Sequence, residues 1–168
     1  MYISKEFILY CFGVLSFVIF LTSTQLFFRK EKNASEAEGK FVLAYGLLFL
    51  SWIFSFAILN YKTLYVLVEF SDTLYKVKRV SPETDLLTTG FLFIGISVFW
   101  MFFCYLIANT LSFLSFGRRT SLNEIKSDNY VYFIIKGSVF VGLTSTLLPI
   151  YELILRMFLP EIEIPFYR

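Results

Sequence analysis

Apolar positions along the chain gather into four long runs parted by short charged stretches. The first run, Phe7 to Phe28, holds 22 residues without a charge. As a helix it covers roughly 33 Å, enough to cross the hydrocarbon of a bilayer. Arg29, Lys30, Glu31 and Lys32 follow it at once. The segment Thr22-Ser23-Thr24-Gln25 leads into Leu26-Phe27-Phe28 and offers no A-x-A-like cleavage site, so a retained span is expected. A polar loop then leads to a second uncharged run over 41–61. The third, Leu86 to Gly117, is 32 residues long and Arg118-Arg119 close it. That exceeds what a bilayer requires, so the helix is expected to tilt or to emerge at one end, with its span over about 86–114. The fourth span is expected over 130–157 and is less clean. Lys136 stands near its start, Pro149 should kink it, and Glu152 and Arg156 share a face four residues apart. Lys136 and Glu152 are placed near opposite interfaces, with Lys136 snorkelling outward.

The stretch between spans two and three has another texture. Tyr65 to Phe70 and Leu74 to Val80 are rich in β-branched and aromatic residues around the polar Ser71-Asp72-Thr73. They read as a small extramembrane β-hairpin, or else as span two continuing in helix to about Val68; the composition favours the hairpin. Pro82 signals the start of the third helix. The chain thus divides into a first two-helix unit (1–60), a connector (61–85), a second two-helix unit (86–160) and a tail (161–168). The fold class is an all-α membrane protein with four transmembrane helices.

Composition strengthens this picture. The chain has 168 residues, 57% hydrophobic and 17% charged, whereas soluble domains carry about 25% charged residues. The net charge of +2 and the absence of a basic stripe argue against nucleic acid as a partner. The expected partner is the lipid bilayer. There is no histidine, which removes the commonest general base and metal ligand. Cys11 and Cys104 both lie in apolar runs and lack a CxxC neighbour. No cofactor, metal site or catalytic residue is expected.

The two halves resemble each other. Each polar loop opens on a basic pair, Arg29-Lys30 or Arg118-Arg119, and then carries a segment with serine and acid. At a shift of 91, Gly46 aligns with Gly137, Ser51 with Gly142 and Ser55 with Thr146. A repeat of two helices places both copies parallel in the membrane, unlike the inverted repeats of many transporters. Ser51-x-x-x-Ser55 and Ser138-x-x-x-Gly142-x-x-x-Thr146 are faces of small residues, which allow close backbone approach where lipid supplies no hydrophobic drive. Spans two and four are expected to meet there, or to meet copies in an oligomer.

With its two-helix repeat and the segment Glu124-Ile125-Lys126-Ser127-Asp128-Asn129 ahead of a helix containing Gly137, the chain resembles the YjfL-type family of small four-span bacterial inner-membrane proteins. Such proteins carry an acid and then Asn before spans two and four. Asp128-Asn129 keeps that pattern, whereas the first copy has Glu38-Gly39. The connector over 61–85 is longer than the family's. The resemblance implies a bacterial cytoplasmic membrane and no defined activity.

Lys and Arg near the span ends divide seven against seven between the two sides. The basic pairs abutting spans one and three, together with the resemblance, place those loops in the cytoplasm and both termini in the periplasm.

Candidate chemistry is thin. Gln25, Asn109 and Thr110 are candidates for a polar patch on the side of the first and third loops, but the favoured reading is that such groups bond to their own helices or link neighbours. Glu36, Glu38, Glu124 and Asp128 are expected at one interface as solvated charges and N-terminal caps for spans two and four. The leading expectation is a non-enzymatic membrane subunit that assembles with itself or with other proteins. An oligomeric channel or passive transporter, and a lipid-handling enzyme using the interfacial acids, are the alternatives.

Overall fold

A computed structural model describes residues 5–37, 40–76, 82–117 and 119–159. The protein is almost wholly helical. In chain order it has α1 (Lys5–Phe27), α2 (Arg29–Ser35), α3 (Leu43–Lys76), α4 (Pro82–Phe116), α5 (Ser121–Lys126), α6 (Tyr130–Thr146) and α7 (Leu148–Arg156). Among the described residues, the extended pairing is one short antiparallel ladder, β1 (Glu36–Ala37) with β2 (Lys40–Phe41). Helices α1, α3 and α4 are each long and apolar enough to cross a membrane, and α6 with α7 makes a fourth such element if the bent pair is one span.

Helix α3 is the axis of the bundle, touching α1, α4, α6 and α7. Its buried positions explain why. Ala44, Leu48, Trp52, Phe56, Leu59, Thr63, Val66, Phe70 and Leu74 follow one another at steps of three or four, which is the stripe of a helix that buries one face. The stripe does not stop where the sequence suggested a hairpin. Residues 65–76 are helix, so the first proposed strand, the turn and the start of the second strand are all corrected; 77–80 lie outside the described residues. The physical reason is that Val66, Leu67, Phe70 and Leu74 keep a helical spacing and find partners on α4, as with Phe70 against Phe93. Packing overrides the β propensity of the segment. At 34 and 35 residues, α3 and α4 each run about 51 Å, well beyond the roughly 30 Å hydrocarbon layer.

The interior is aromatic. Trp52, 1% exposed, sits among Phe27, Phe28, Phe102, Tyr105 and Phe140, with ring centroids 4.8 to 5.8 Å away. Four helices and the turn after α1 therefore converge on one indole. Further along, Phe20 stacks on Phe56 at 4.0 Å, and the edge of Phe12 lies over Gly90, where a Cβ would meet its ring at 2.3 Å.

Two features fix the helix ends. Gly117, at φ +74°, takes the left-handed conformation that stops α4. The fourth apolar element bends by 42° between α6 and α7. Pro149, two residues past the bend, lacks the N–H that would bond back to Ser145, so the ladder breaks there, while the Leu147 N–H still reaches the carbonyls of Leu143 and Ser145.

Candidate functional site

The short helices α2 and α5 pack on each other and gather the two polar loops at one end of the bundle. Here the sequence places its most unusual side chain. Lys136, in the second turn of α6, is 1% exposed. It does not snorkel outward, which corrects the expectation. Its Nζ donates to Asn109 Oδ1 of α4 at 2.8 Å and to Ser121 Oγ of α5 at 2.7 Å. The rings of Tyr105 and Tyr132 stand 5.2 and 5.7 Å from the ammonium, within the range of cation–π attraction. None of the ion pairs among the described residues includes it. Inward acceptors and aromatic faces thus replace the water that an outward rotamer would reach.

Asn109 and Ser121 also border a cavity of about 540 Å³. Tyr105, Arg119, Thr120 and Glu31 share its wall, with Phe27, Leu106 and Phe113 on the apolar side. Lys136 lies directly behind this wall, bonded to two of its members. Arg119 is half exposed and reaches Glu124 only at 3.9 Å.

The loop acids have separate duties. Asp128, held at φ +48°, accepts from the backbone N–H of Ala44 at 3.0 Å and so caps α3 from a loop 84 residues further on. Asn129 accepts from Tyr132 N at the start of α6 and donates to Glu124 Oε2. Glu36 is exposed and Glu38 lies outside the described residues. Removing the cap by Asp128→Ala should lower stability by about 1 kcal/mol, as for other lost N-terminal caps; unfolding in mixed micelles measures it, and an unchanged midpoint would refute the role.

The candidate polar patch is not assembled, and the favoured reading of these groups fits the geometry. Gln25 borders a different cavity with Lys32, Tyr45 and Phe49, and the exposed Thr110 hydroxyl donates to Leu106 O in its own helix. Asn109 alone joins the lysine. The small residues also part company. Gly137 meets Ser51, where an added Cβ would lie 2.9 Å from Ser51 Cβ, so α3 and α6 approach closely at this point. Ser55 is buried. Gly46, Ser138, Gly142 and Thr146 are exposed, and nothing lies within 4 Å of a Cβ built on Gly46 or Gly142.

Comparison of the chain with family models, with curated proteins and with solved structures finds no match. Its chemistry therefore rests on its own geometry.

At the opposite end, Lys62 donates to Glu152 at 2.9 Å, Glu152 pairs with Arg156 at 3.1 Å, and Arg156 reaches Glu69 at 3.0 Å. One turn inward, the hydroxyls of Thr63, Ser97 and Tyr151 lie within 2.9 Å of one another. Thr63 and Ser97 each donate to a carbonyl of their own helix, so Tyr151 supplies the proton that joins α7 to them. These groups clamp α3, α4 and α7 together. The sequence pointed to the Glu152–Arg156 pair, but neither the hydroxyl cluster nor Ser121, Tyr105 and Glu31 beside Lys136. Thr63, Ser97, Tyr105 and Tyr151 are polar groups in or beside apolar runs, and Ser121 and Glu31 are ordinary members of the polar loops, so no local pattern marked them. No cluster of His, Cys, Asp or Glu able to hold a metal occurs among the described residues.

Proposed function

We propose that this protein is a non-enzymatic integral membrane subunit that assembles, with itself or with another membrane protein, through the outer face shared by α3 and α6. The observation that carries the reading is a groove of about 430 Å³ on that face. Ser51, Gly137 and Ser138 are among its lining, and Leu50, Phe54 and Ile134 flank them. Gly46 and Gly142 extend the small-residue surface outward with open space above them. In lipid, association rests on close van der Waals approach, and small residues on an outer face permit it. On this reading the chain has four spans, with α6 and α7 forming the last, arranged as two parallel two-helix repeats. The setting is a bacterial inner membrane, with the α2 and α5 loops cytoplasmic and both termini periplasmic. Two of the acids weighed for lipid chemistry are engaged elsewhere, Asp128 on α3 and Glu124 on Asn129. The aromatic packing around Trp52 occupies the middle of a single bundle, so a channel would have to form between copies.

Gly142→Leu tests assembly without disturbing the fold, because its side chain enters open space. Native mass spectrometry in mild detergent, with energy transfer between labelled chains in liposomes, should show the wild-type complex and a loss of about tenfold in association for the variant. A wild-type chain that stays monomeric and co-purifies with no other protein would defeat the reading.

A further inference from the structure

Burying a lysine without a carboxylate in contact is costly in a membrane protein, and such residues mark sites of function. The bonds that Lys136 makes determine what that function is. Because Asn109 Oδ1 is taken by the ammonium, the amide Nδ2 must turn away from it, and Nδ2 has no acceptor among the described residues. Arg119, on the same cavity wall, holds Glu124 loosely, and most of its five donors meet no acceptor among the described residues. Thr120 adds a hydroxyl. Donors therefore converge on the cavity, with the charge of Lys136 behind them. Glu31 is a carboxylate on the wall, and it offsets part of the positive charge. It does not reverse the balance: Arg119 and Glu31 are the charged residues that line the cavity, and Lys136, bonded to Asn109 and Ser121 of its wall, adds a second cation.

We propose that this cavity binds a phosphate-type oxyanion, carried on a lipid headgroup or free in solution. A guanidinium fork beside amide and hydroxyl donors suits the oxygens of phosphate. The lipid source is favoured by the remaining wall. Phe27, Leu106 and Phe113 line the cavity and are also exposed on the outside of the bundle, so an acyl chain can leave the site along them. A cavity of about 540 Å³ has the size of a headgroup pocket. Lys136 acts as a positioning residue, orienting Asn109 and Ser121 and supplying charge through them. The site shares no lining residue with the α3–α6 groove, so it can succeed or fail independently of the assembly reading.

The test uses the full chain in detergent, titrated with phosphatidylglycerol, with diacylglycerol of the same tails, and with inorganic phosphate. Native mass spectrometry reads lipid binding. Phosphatidylglycerol should bind about tenfold more tightly than diacylglycerol. Arg119→Gln, on the half-exposed mouth, and Lys136→Met, close in shape to lysine, should each bring that ratio toward one. Lys126→Gln, exposed on the same end, should leave it unchanged. The ratio is the decisive readout, since a general loosening of the bundle weakens both lipids alike. Competition by millimolar phosphate would assign the site to the free anion, and no competition would assign it to the lipid. Equal binding of the two lipids without any effect of phosphate, or a ratio preserved in both variants, overturns the proposal.

Discussion

Trp52→Ala should lower the stability of the bundle by about 3 kcal/mol, the lower end of the range for truncating a large buried aromatic. The lower end applies because lipid already solvates apolar side chains in the separated helices, so little transfer energy is lost. What is lost is contact. Trp52 touches rings from the end of α1, from α4 and from α6, and their faces would border a void that cannot collapse from all sides at once. The indole Nε1 has no hydrogen-bond partner among the described residues. Trp52→Phe, which keeps the ring and removes that orphan donor, should therefore cost much less than its volume change suggests. Unfolding by sodium dodecyl sulfate in mixed micelles gives both values. A loss under about 1 kcal/mol for the alanine variant would show that the interior is not organised around this residue.

The second large effect is expected at Gly137. Alanine there places Cβ 2.9 Å from Ser51 Cβ, a distance at which one helix must move. Leucine forces α3 and α6 apart, and overpacking of this kind costs about 1–3 kcal/mol. Two comparisons make the prediction specific. Ser51→Gly in the same chain should recover part of the loss, because it removes the atom that is struck. Gly142→Leu, on the same helix, should not lower stability, because nothing lies within 4 Å of a Cβ at that position. Should Gly137→Leu and Gly142→Leu behave alike, the close crossing would not be where the structure has it. Thermal unfolding of the two variants side by side decides this.

The membrane fold was legible because it depends on a one-dimensional quantity, the length of uncharged apolar runs. The span from Phe7 to Phe28 differs from α1 by a few residues. The bend near Pro149 and the Glu152–Arg156 pair were equally local, since each follows from spacing on one helix. The far part of α3 was misread for a physical reason. Tyr65, Val66, Val68 and Phe70 have strand-like side chains, and only the positions of Val66, Leu67, Phe70 and Leu74 against α4 reveal the helix. Composition and periodicity disagreed there, and periodicity reports burial. The candidate site was legible in its parts but not in its assembly. Asn109 and Lys136 each stood out as polar residues in apolar sequence. That they bond to each other depends on which way two helices face, and spacing along a chain of 168 residues carries no information on that. The same ignorance grouped Gln25 with Asn109, although α1 turns it toward Tyr45. It also grouped seven small residues into one seam, although the structure buries some and exposes others.

The cap that Asp128 places on α3 has a consequence for how the molecule is made. Synthesis delivers α1 and α3 well before residue 128 exists, so the Ala44 amide in the first turn of α3 waits for a carboxylate from the other half of the chain. Trp52 waits too, because Phe102 and Tyr105 arrive only with α4, and Phe140 only after residue 128. The early helices can enter the bilayer one by one, since each satisfies its own backbone. Their final arrangement is settled only when the last helix has left the ribosome, and until then the nascent half presents an unfilled aromatic socket to whatever lies beside it in the membrane.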